Sequence, residues 1–238
     1  YYADQHPCPE RLGTFVYGMP ELYAEQIKTA KYVANPGCFA TCIATSLLPL
    51  ADAGLMQQSA VKVVALTGSS GSGVHAQAGN HHTLRSNNLK TYKVFDHQHT
   101  PEILQTLGAA GAGQVKLDFV PVSAPLARGM MSIAQLDLPA GLTEDRLRQM
   151  YEAYYKDFPL ISVLPKGMSP EVVAVKNSAR IEIGIEISQT HSDGCKTLCV
   201  TSALDNLIKG GAGQAIQNFN LMTGHDNNYQ LDQLGMWP

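Results

Sequence analysis

The feature of this sequence that most constrains the fold is a strict alternation at residues 181–187, which read Ile-Glu-Ile-Gly-Ile-Glu-Ile. Successive side chains of a strand point to opposite faces, so the isoleucines share one face and the glutamates the other. Such a half-buried pattern, within a strand predicted over residues 180–190, is typical of an antiparallel sheet packed on a core. Six further segments have the composition of strands: residues 61–66, 91–95, 116–122, 130–138, 172–175 and 196–204.

Helical periodicity and helix-start signals lie between these strands. They predict helices at residues 21–30, 38–53, 101–107, 143–157 and 211–223. Thr143 is placed to cap the fourth of them, and the glycine- and serine-rich residues 67–80 predict a loop. Because strands and helices do not alternate regularly, the predicted class is α+β: a mixed, largely antiparallel sheet with helices on one face.

Composition excludes several classes of protein. The chain has 238 residues and a net charge of −3, which argues against a nucleic-acid partner. No apolar run approaches the roughly 18 residues of a membrane helix, so no membrane partner is expected. Five cysteines without framework spacing, and no visible signal peptide, favour the cytoplasm. The chain begins with Tyr1 rather than Met, which suggests a fragment.

Cys38 follows the turn Asn35-Pro36-Gly37 and begins a predicted helix. Unpaired backbone N–H groups and the helix dipole favour negative charge there, so we expect a lowered thiol pKa and a nucleophilic thiolate. The alternative is a small buried hydrophobic residue, as most free cysteines are.

His97 and His99 lie just before the next predicted helix. Histidine supplies a general acid or base near neutral pH, and together with an activated Cys38 these residues suggest a Cys/His pair. Metal ligands, or merely hydrogen-bonded polar residues at a helix start, are the alternatives. We expect no metal, because the Cys-x3-Cys pair at residues 195–199 lies on or beside a strand that would hold its sulfurs too far apart for one ion.

Two further features point to an anionic ligand. The Gly/Ser segment at residues 67–73, with Ser70 and Gly71, follows a buried strand and offers N–H groups and hydroxyls to an oxyanion or phosphate. Arg128 is a candidate anion anchor, with a solvated surface charge equally plausible. For Arg85, beside the loop, a solvated surface charge is the favoured interpretation.

Taken together, these segments resemble the N-acetyl-gamma-glutamyl-phosphate reductase family of the semialdehyde dehydrogenase superfamily. The resemblance is carried in order along the chain by residues 16–22, 33–38, 67–73, 97–103, 125–129 and 205–218. It implies a catalytic and dimerisation domain like that of glyceraldehyde-3-phosphate dehydrogenase, and NADP as cofactor. It further implies reduction of an acyl phosphate to an aldehyde in arginine biosynthesis, through a thioester on a cysteine.

The resemblance also implies residue roles. Cys38 would be the nucleophile, and His99, ahead of His97, the acid/base. Substrate contacts would come from Asn35, Ser70, Gly71 and Arg128, and cofactor contacts from Asn206, Gly213 and Gln214. Residues 1–205 would form the catalytic and dimerisation domain of a homodimer or tetramer. Residues 206–238 would pack on an N-terminal NADP-binding domain that is missing here, so the isolated chain should be inactive.

Other functions stay open at this point. Aspartate-semialdehyde dehydrogenases use a similar mechanism, although their cysteine usually follows Asn rather than Gly37. A lysine-pathway relative acting on an aminoadipyl phosphate has closer motifs. A non-catalytic dimerisation module fits a chain without a cofactor domain, and a metal hydrolase built on His97 and His99 is the weakest alternative.

Overall fold

The computed structural model describes residues 6–56, 60–138, 141–190 and 195–235. Within them the chain forms one seven-stranded sheet and a separate pair of short parallel strands. The pair is β1 Val16–Tyr17 with β2 Val33–Ala34. The sheet contains β3 Val61–Thr67, β4 Lys90–Thr91, β5 Leu117–Ser123, β6 Met130–Leu138, β7 Ile161–Val163, β8 Ile181–Ile187 and β9 Lys196–Leu204.

The strands are arranged in the order β4-β5-β3-β6-β9-β8-β7. Neighbours are antiparallel in β4–β5, β3–β6, β6–β9 and β8–β9, and parallel in β3–β5 and β7–β8. The predicted mixed, largely antiparallel sheet is therefore confirmed. The alternation in β8 has the predicted consequence, since Ile181, Ile183 and Ile185 are buried in the core.

The helices are α1 Pro20–Thr29, α2 Cys38–Asp52, α3 His82–Arg85, α4 Thr100–Leu107, α5 Glu144–Tyr155, α6 Val172–Val175 and α7 Gly213–Met222. Helices α2, α4 and α5 pack on one face of the sheet. Nearly every residue of α2 is buried, and the Tyr151 hydroxyl of α5 donates to the Ser46 carbonyl 2.7 Å away. Helix α2 thus lies at the centre of the core, and the Cys38 position is held by it.

Two predicted strands are wrong. Residues 91–95 contain only the end of β4, because Lys93 and Phe95 adopt positive φ angles that interrupt an extended chain. Residues 172–175 form the short helix α6, whose Val175 is buried. Here tertiary packing overrides the β propensity of the valines.

The remaining elements agree with the sequence more closely. Thr143 caps α5, its hydroxyl accepting the Arg146 backbone N–H at 3.3 Å. The loop at residues 67–80 contains two 3₁₀ turns, Ser69–Ser72 and Ala78–Asn80. A π-helical turn, Ile208–Ala212, precedes α7. Among the described residues, no helix combines the length and apolar character needed to cross a bilayer.

Candidate active site

Cys38 is the first residue of α2, and Gly37 is the extended residue before it. The Gly37 backbone N–H donates to Glu102 Oε2 at 2.9 Å, and the Tyr17 hydroxyl donates to the same oxygen, also at 2.9 Å. The Glu102 carboxylate therefore joins β1, α4 and the start of α2. The sequence analysis missed Glu102 and Tyr17 as functional candidates, although both lie in the segments that carry the family resemblance.

The expected lowering of the Cys38 pKa is wrong for this structure. Burial is the main reason that the pKa of the thiol is raised to about 11, and the Cys42 thiol and the Glu102 carboxylate contribute in the same direction. Hydrogen bonds from the backbone at Phe39 and Cys38 lower it, as a helix start should. Desolvation of the charged form outweighs them, so Cys38 is a neutral thiol at pH 7.

The His99 imidazole packs directly against Gly37. A Cβ atom on Gly37 would lie 2.3 Å from His99 Nε2, so only glycine leaves room for the ring. Burial lowers the His99 pKa, the Glu102 carboxylate raises it in part, and Lys93 lowers it. A neutral imidazole therefore lies against Gly37, the residue before Cys38.

His97 is 3% exposed and serves a different purpose. Its Nδ1 accepts the backbone N–H of His99 at 3.2 Å. Its ring makes edge contacts with Phe39 at 5.3 Å and Phe119 at 5.4 Å. Burial lowers its pKa to about 4, with contributions from His99 and Lys93. Through Nδ1, His97 supports the backbone at His99.

Cys38, His97 and His99 line one cavity of about 450 Å³. Its other described lining residues are Phe39, Thr67, Gly71, Ser72, Gln77, Gly79, Asn80, Arg85, Lys90, Tyr92, Lys93, Gln98 and Ser123. Three of these carry positive charge, and no carboxylate is among the described residues of the lining. The cavity thus suits an anionic ligand. Arg85 is a cavity residue rather than the expected solvated charge, and no local sequence pattern indicates this.

The Gly/Ser loop is built differently from the prediction. The N–H groups of Gly68, Ser69 and Ser70 donate to backbone carbonyls of residues 126–129, at 2.8 to 3.1 Å. They are therefore not free to bind an oxyanion. Gly71 lines the cavity, whereas the Ser70 hydroxyl accepts from Asn206 Nδ2 at 3.0 Å.

Arg128 does not line the Cys38 cavity. Its Nε donates to Asp205 Oδ2 at 2.6 Å, and the Asp205 side chain is fully buried. Asp205 also accepts the backbone N–H groups of Asn177 at 2.7 Å and Leu207 at 2.9 Å. Arg128 thus stabilises the turn after β9 through its ion pair with Asp205. The structure does not bring Arg128 together with Cys38 in one cavity.

The three residues assigned to cofactor contact lie together near the C-terminus of the described chain. Asn206 uses its amide internally, accepting the Gly129 N–H at 2.6 Å and donating to Ser70. A Cβ on Gly213 would lie 2.7 Å from the Ile208 side chain, so this glycine permits close packing of its own segment. Gln214 is buried and donates to the Gly18 carbonyl at 2.9 Å.

Asn35 is exposed and borders a second cavity of about 540 Å³. Its side chain is hydrogen-bonded to the segment that contains Gly213 and Gln214. Its Nδ2 donates to the Gly211 carbonyl, and its Oδ1 accepts from Asn218 Nδ2, both at 3.1 Å. Asn35 thus lies behind the start of α2, outside the described lining of the Cys38 cavity.

The π-helical turn before α7 lies against Cys38, which the sequence did not indicate. A Cβ on Gly210 would lie 2.8 Å from the Cys38 Cβ. The adjacent Lys209 is fully buried, and its Nζ donates to Glu21 Oε1 at 2.6 Å and to Gln217. Among the described residues, no group of three or more His, Cys, Asp or Glu side chains is arranged to hold a metal ion.

Comparison with known proteins agrees with this architecture. A family model described as semialdehyde dehydrogenase, dimerisation domain, matches residues 38–206. The chain is similar in structure to aspartate semialdehyde dehydrogenase II from Vibrio cholerae, with a TM-score of 0.68, over 89% of this chain and 69% of that one. At 15% identity this likeness shows the fold alone.

Curated relatives are closer in sequence. N-acetyl-gamma-glutamyl-phosphate reductase of Magnetococcus marinus is 38% identical over all 238 residues, which span 67% of that protein. The protein of the same name from Bacillus subtilis is 40% identical over 94% of this chain and 64% of its own length. The chain therefore belongs to the semialdehyde dehydrogenase family and, within it, to the N-acetyl-gamma-glutamyl-phosphate reductases.

Proposed function

We propose that this chain is the catalytic part of an enzyme that reduces N-acetyl-γ-glutamyl phosphate to the semialdehyde and phosphate, in arginine biosynthesis. The observation that carries the proposal is the pairing of Cys38, at the start of α2, with the His99 imidazole packed on Gly37. Both open into a cavity with a cationic lining. The names of the relatives supply the substrate class.

The first step is attack of the Cys38 sulfur on the acyl carbon. An S–C bond forms, the bond from the acyl carbon to the phosphate oxygen breaks, and phosphate leaves, so that a thioester remains on Cys38. Because the thiol is neutral in this structure, its proton has to be removed during attack. His99 is the neutral base in position to accept it, and its lowered pKa keeps it unprotonated at pH 7.

Lys93 offsets negative charge of the substrate in the cavity, and His97 holds the His99 backbone in place. Protonated His99 can return its proton to the developing alkoxide when the thioester is reduced, which gives a thiohemiacetal on Cys38. The C–S bond of the thiohemiacetal then breaks, the hydroxyl proton passes through His99 to the Cys38 sulfur, and the semialdehyde and the free thiol are released. NADPH, when bound, would supply the hydride for that reduction.

Of the residues that would contact NADPH, some have hydrogen-bonding atoms available for it and others do not. Gln214 Oε1 and Asn218 Oδ1 are buried and make no hydrogen bond within the described residues, so each can accept a donor such as a carboxamide. Asn206 and Gly213 are occupied within the chain, so their assignment to the cofactor stays a prediction. On α7, Ile216 and Phe219 are 45% and 62% exposed, an apolar face suited to a further domain.

We further propose that two copies associate through the sheet face that carries no long helix. Val64 is 42% exposed there, and its register partners on that face are Val120 and Ile133. Leu66 and Met131 extend the same apolar band. A solvated sheet face is normally polar, and an apolar one of this kind is typical of an interface. The name of the matching family model, a dimerisation domain, agrees.

The chemical step can be tested without the cofactor. The chain is incubated with N-acetyl-γ-glutamyl phosphate, and phosphate release and the mass of the intact protein are followed. We expect one acyl adduct, at Cys38, no adduct in Cys38→Ser and a much slower reaction in His99→Gln. NADPH should not be oxidised by this chain alone. If no adduct forms, the chain is a non-catalytic module. If the chain alone oxidises NADPH steadily, the proposal that hydride transfer needs a larger protein is refuted.

A further inference from the structure

The cavity that holds Cys38 contains a cation that the proposed chemistry does not require. Arg85 ends the short helix α3 and lines the cavity beside Thr67 and Tyr92. Its Nη2 donates to the Thr67 carbonyl at 3.2 Å, at the end of β3. A guanidinium has five N–H donors, so one bond to a carbonyl leaves most of its capacity unused. No Asp or Glu forms an ion pair with Arg85 within the described residues.

Tyr92 lines the same cavity as Arg85 and Cys38, and its pKa responds to both of them. The Tyr92 pKa is raised to about 12, mainly by burial, with the Cys38 thiol acting in the same direction and the Arg85 guanidinium in the opposite one. The phenol therefore lies within electrostatic range of both residues. Arg85, Tyr92 and Cys38 line the same cavity, so a substrate bound to Cys38 can also contact Arg85.

The other cations of the cavity are less suited to fixed recognition. Lys93 Nζ donates to Gln98 Oε1 at 2.7 Å, and Lys90 is exposed. Arg85 is half-buried and held by a backbone carbonyl, and its planar group can bind a carboxylate through two parallel hydrogen bonds.

We propose that Arg85 binds the α-carboxylate of the substrate and selects acyl phosphates that carry one. This inference rests on the proposed function for the identity of the substrate. The phosphate is attached to the reacting carbon and lies at Cys38 and His99, whereas the α-carboxylate is at the far end of the same molecule. Arg85 therefore acts as a specificity-determining residue, in contact with the substrate and away from the bond that breaks.

The test compares two acyl phosphates, only one of which has a carboxylate. Acylation of Cys38 by N-acetyl-γ-glutamyl phosphate and by acetyl phosphate is measured by mass spectrometry for the unaltered chain, Arg85→Gln, Arg85→Lys and the control Arg146→Gln. Arg146 is exposed on α5. Circular dichroism verifies that each variant is folded.

We expect Arg85→Gln to slow acylation by N-acetyl-γ-glutamyl phosphate roughly 10- to 100-fold, the effect of losing a charged hydrogen-bond pair. Acylation by acetyl phosphate should be unchanged, Arg85→Lys should recover part of the rate, and Arg146→Gln should have no effect. Equal slowing with both compounds would show that Arg85 binds the phosphate group, which both compounds have, and would overturn the proposal. Unchanged rates with both would overturn it as well.

A second measurement separates this proposal from the proposed function. N-acetylglutamate γ-methyl ester, which keeps the α-carboxylate, should protect Cys38 from iodoacetamide in the unaltered chain but not in Arg85→Gln. The dimethyl ester should protect neither. If the monoester protects Cys38 but no acylation occurs, the binding of the α-carboxylate by Arg85 would be supported and the acyl-transfer chemistry refuted. A lack of protection by the monoester in the unaltered chain would overturn the role of Arg85.

Discussion

Two effects act on the Cys38 thiol in opposite directions. Backbone hydrogen bonds at the start of α2 lower its pKa, whereas burial raises it, and the result is about 11. A cysteine of this kind reacts as a neutral thiol with an adjacent base rather than as a preformed thiolate. At the scale of the residue, the contact of His99 with Gly37 therefore matters more than the helix dipole.

The pH dependence of Cys38 alkylation tests this balance. We expect the rate in the folded chain to rise with a midpoint near the raised pKa of about 11, well above an ordinary thiol. In concentrated urea the midpoint should return to the ordinary value, and Cys38→Ser gives the background from other cysteines. The half-buried neutral thiol also stabilises the fold at neutral pH, and this stability should be lost as pH rises from about 9 towards 11. A folded-state midpoint below 8.5 would contradict this account.

At the scale of the element, the site depends on how closely three segments approach. Helix α2 supplies Cys38, the segment before α4 supplies the histidines, and the π-helical turn supplies Gly210 against Cys38. The buried pair Lys209–Glu21 fixes that turn on α1. The turn thus packs closely against Cys38.

Adjacent glycines of the turn provide a matched test. Gly210→Ala places a Cβ 2.8 Å from the Cys38 Cβ, whereas Gly211→Ala meets only the Asn206 carbonyl at 3.4 Å. We expect Gly210→Ala to lower the free energy of unfolding in urea by about 1–3 kcal/mol, as overpacking does, and to slow Cys38 acylation. Gly211→Ala should differ little from the unaltered chain. Equal behaviour of the two variants would show that the turn does not press on Cys38.

At the scale of the whole molecule, the two faces of the sheet have different roles. One face carries the helices that position the site, and the other exposes an apolar band around Val64. Members of the family extend beyond the length of this chain, which spans 67% of the Magnetococcus marinus protein. The two associations proposed above, with a second copy and with a further domain, therefore use different surfaces: the sheet face and α7.

Sedimentation velocity tests the assignment of the sheet face. The unaltered chain should sediment as a dimer at micromolar concentration, and Val64→Lys should shift it to a monomer, because it places a charge in the centre of the apolar band. Gln149→Lys, on the exposed side of α5, is the control and should leave the dimer intact. A monomeric unaltered chain, or a dimeric Val64→Lys variant, would refute the assignment.

Much of the fold and part of the site follow from sequence alone, because both depend on local rules. The alternation in β8 and the apolar periodicity of α2 set which side chains are buried, and a turn followed by Cys38 predicts a cysteine at the start of a helix. The short segments were less predictable. Residues 172–175 have strand propensity, and only their packing makes them helical.

The sequence by itself determined the class of sheet, the long helices and the chemical types at the site, Cys38 with a histidine pair. The tertiary structure alone decided which arginine enters the cavity, Arg85 rather than Arg128, and the sign of the Cys38 pKa shift. The physical reason is that hydrogen-bond capacity and secondary-structure propensity are carried by each residue. Burial and charge partners are instead set by residues far along the chain, such as Asp205 for Arg128.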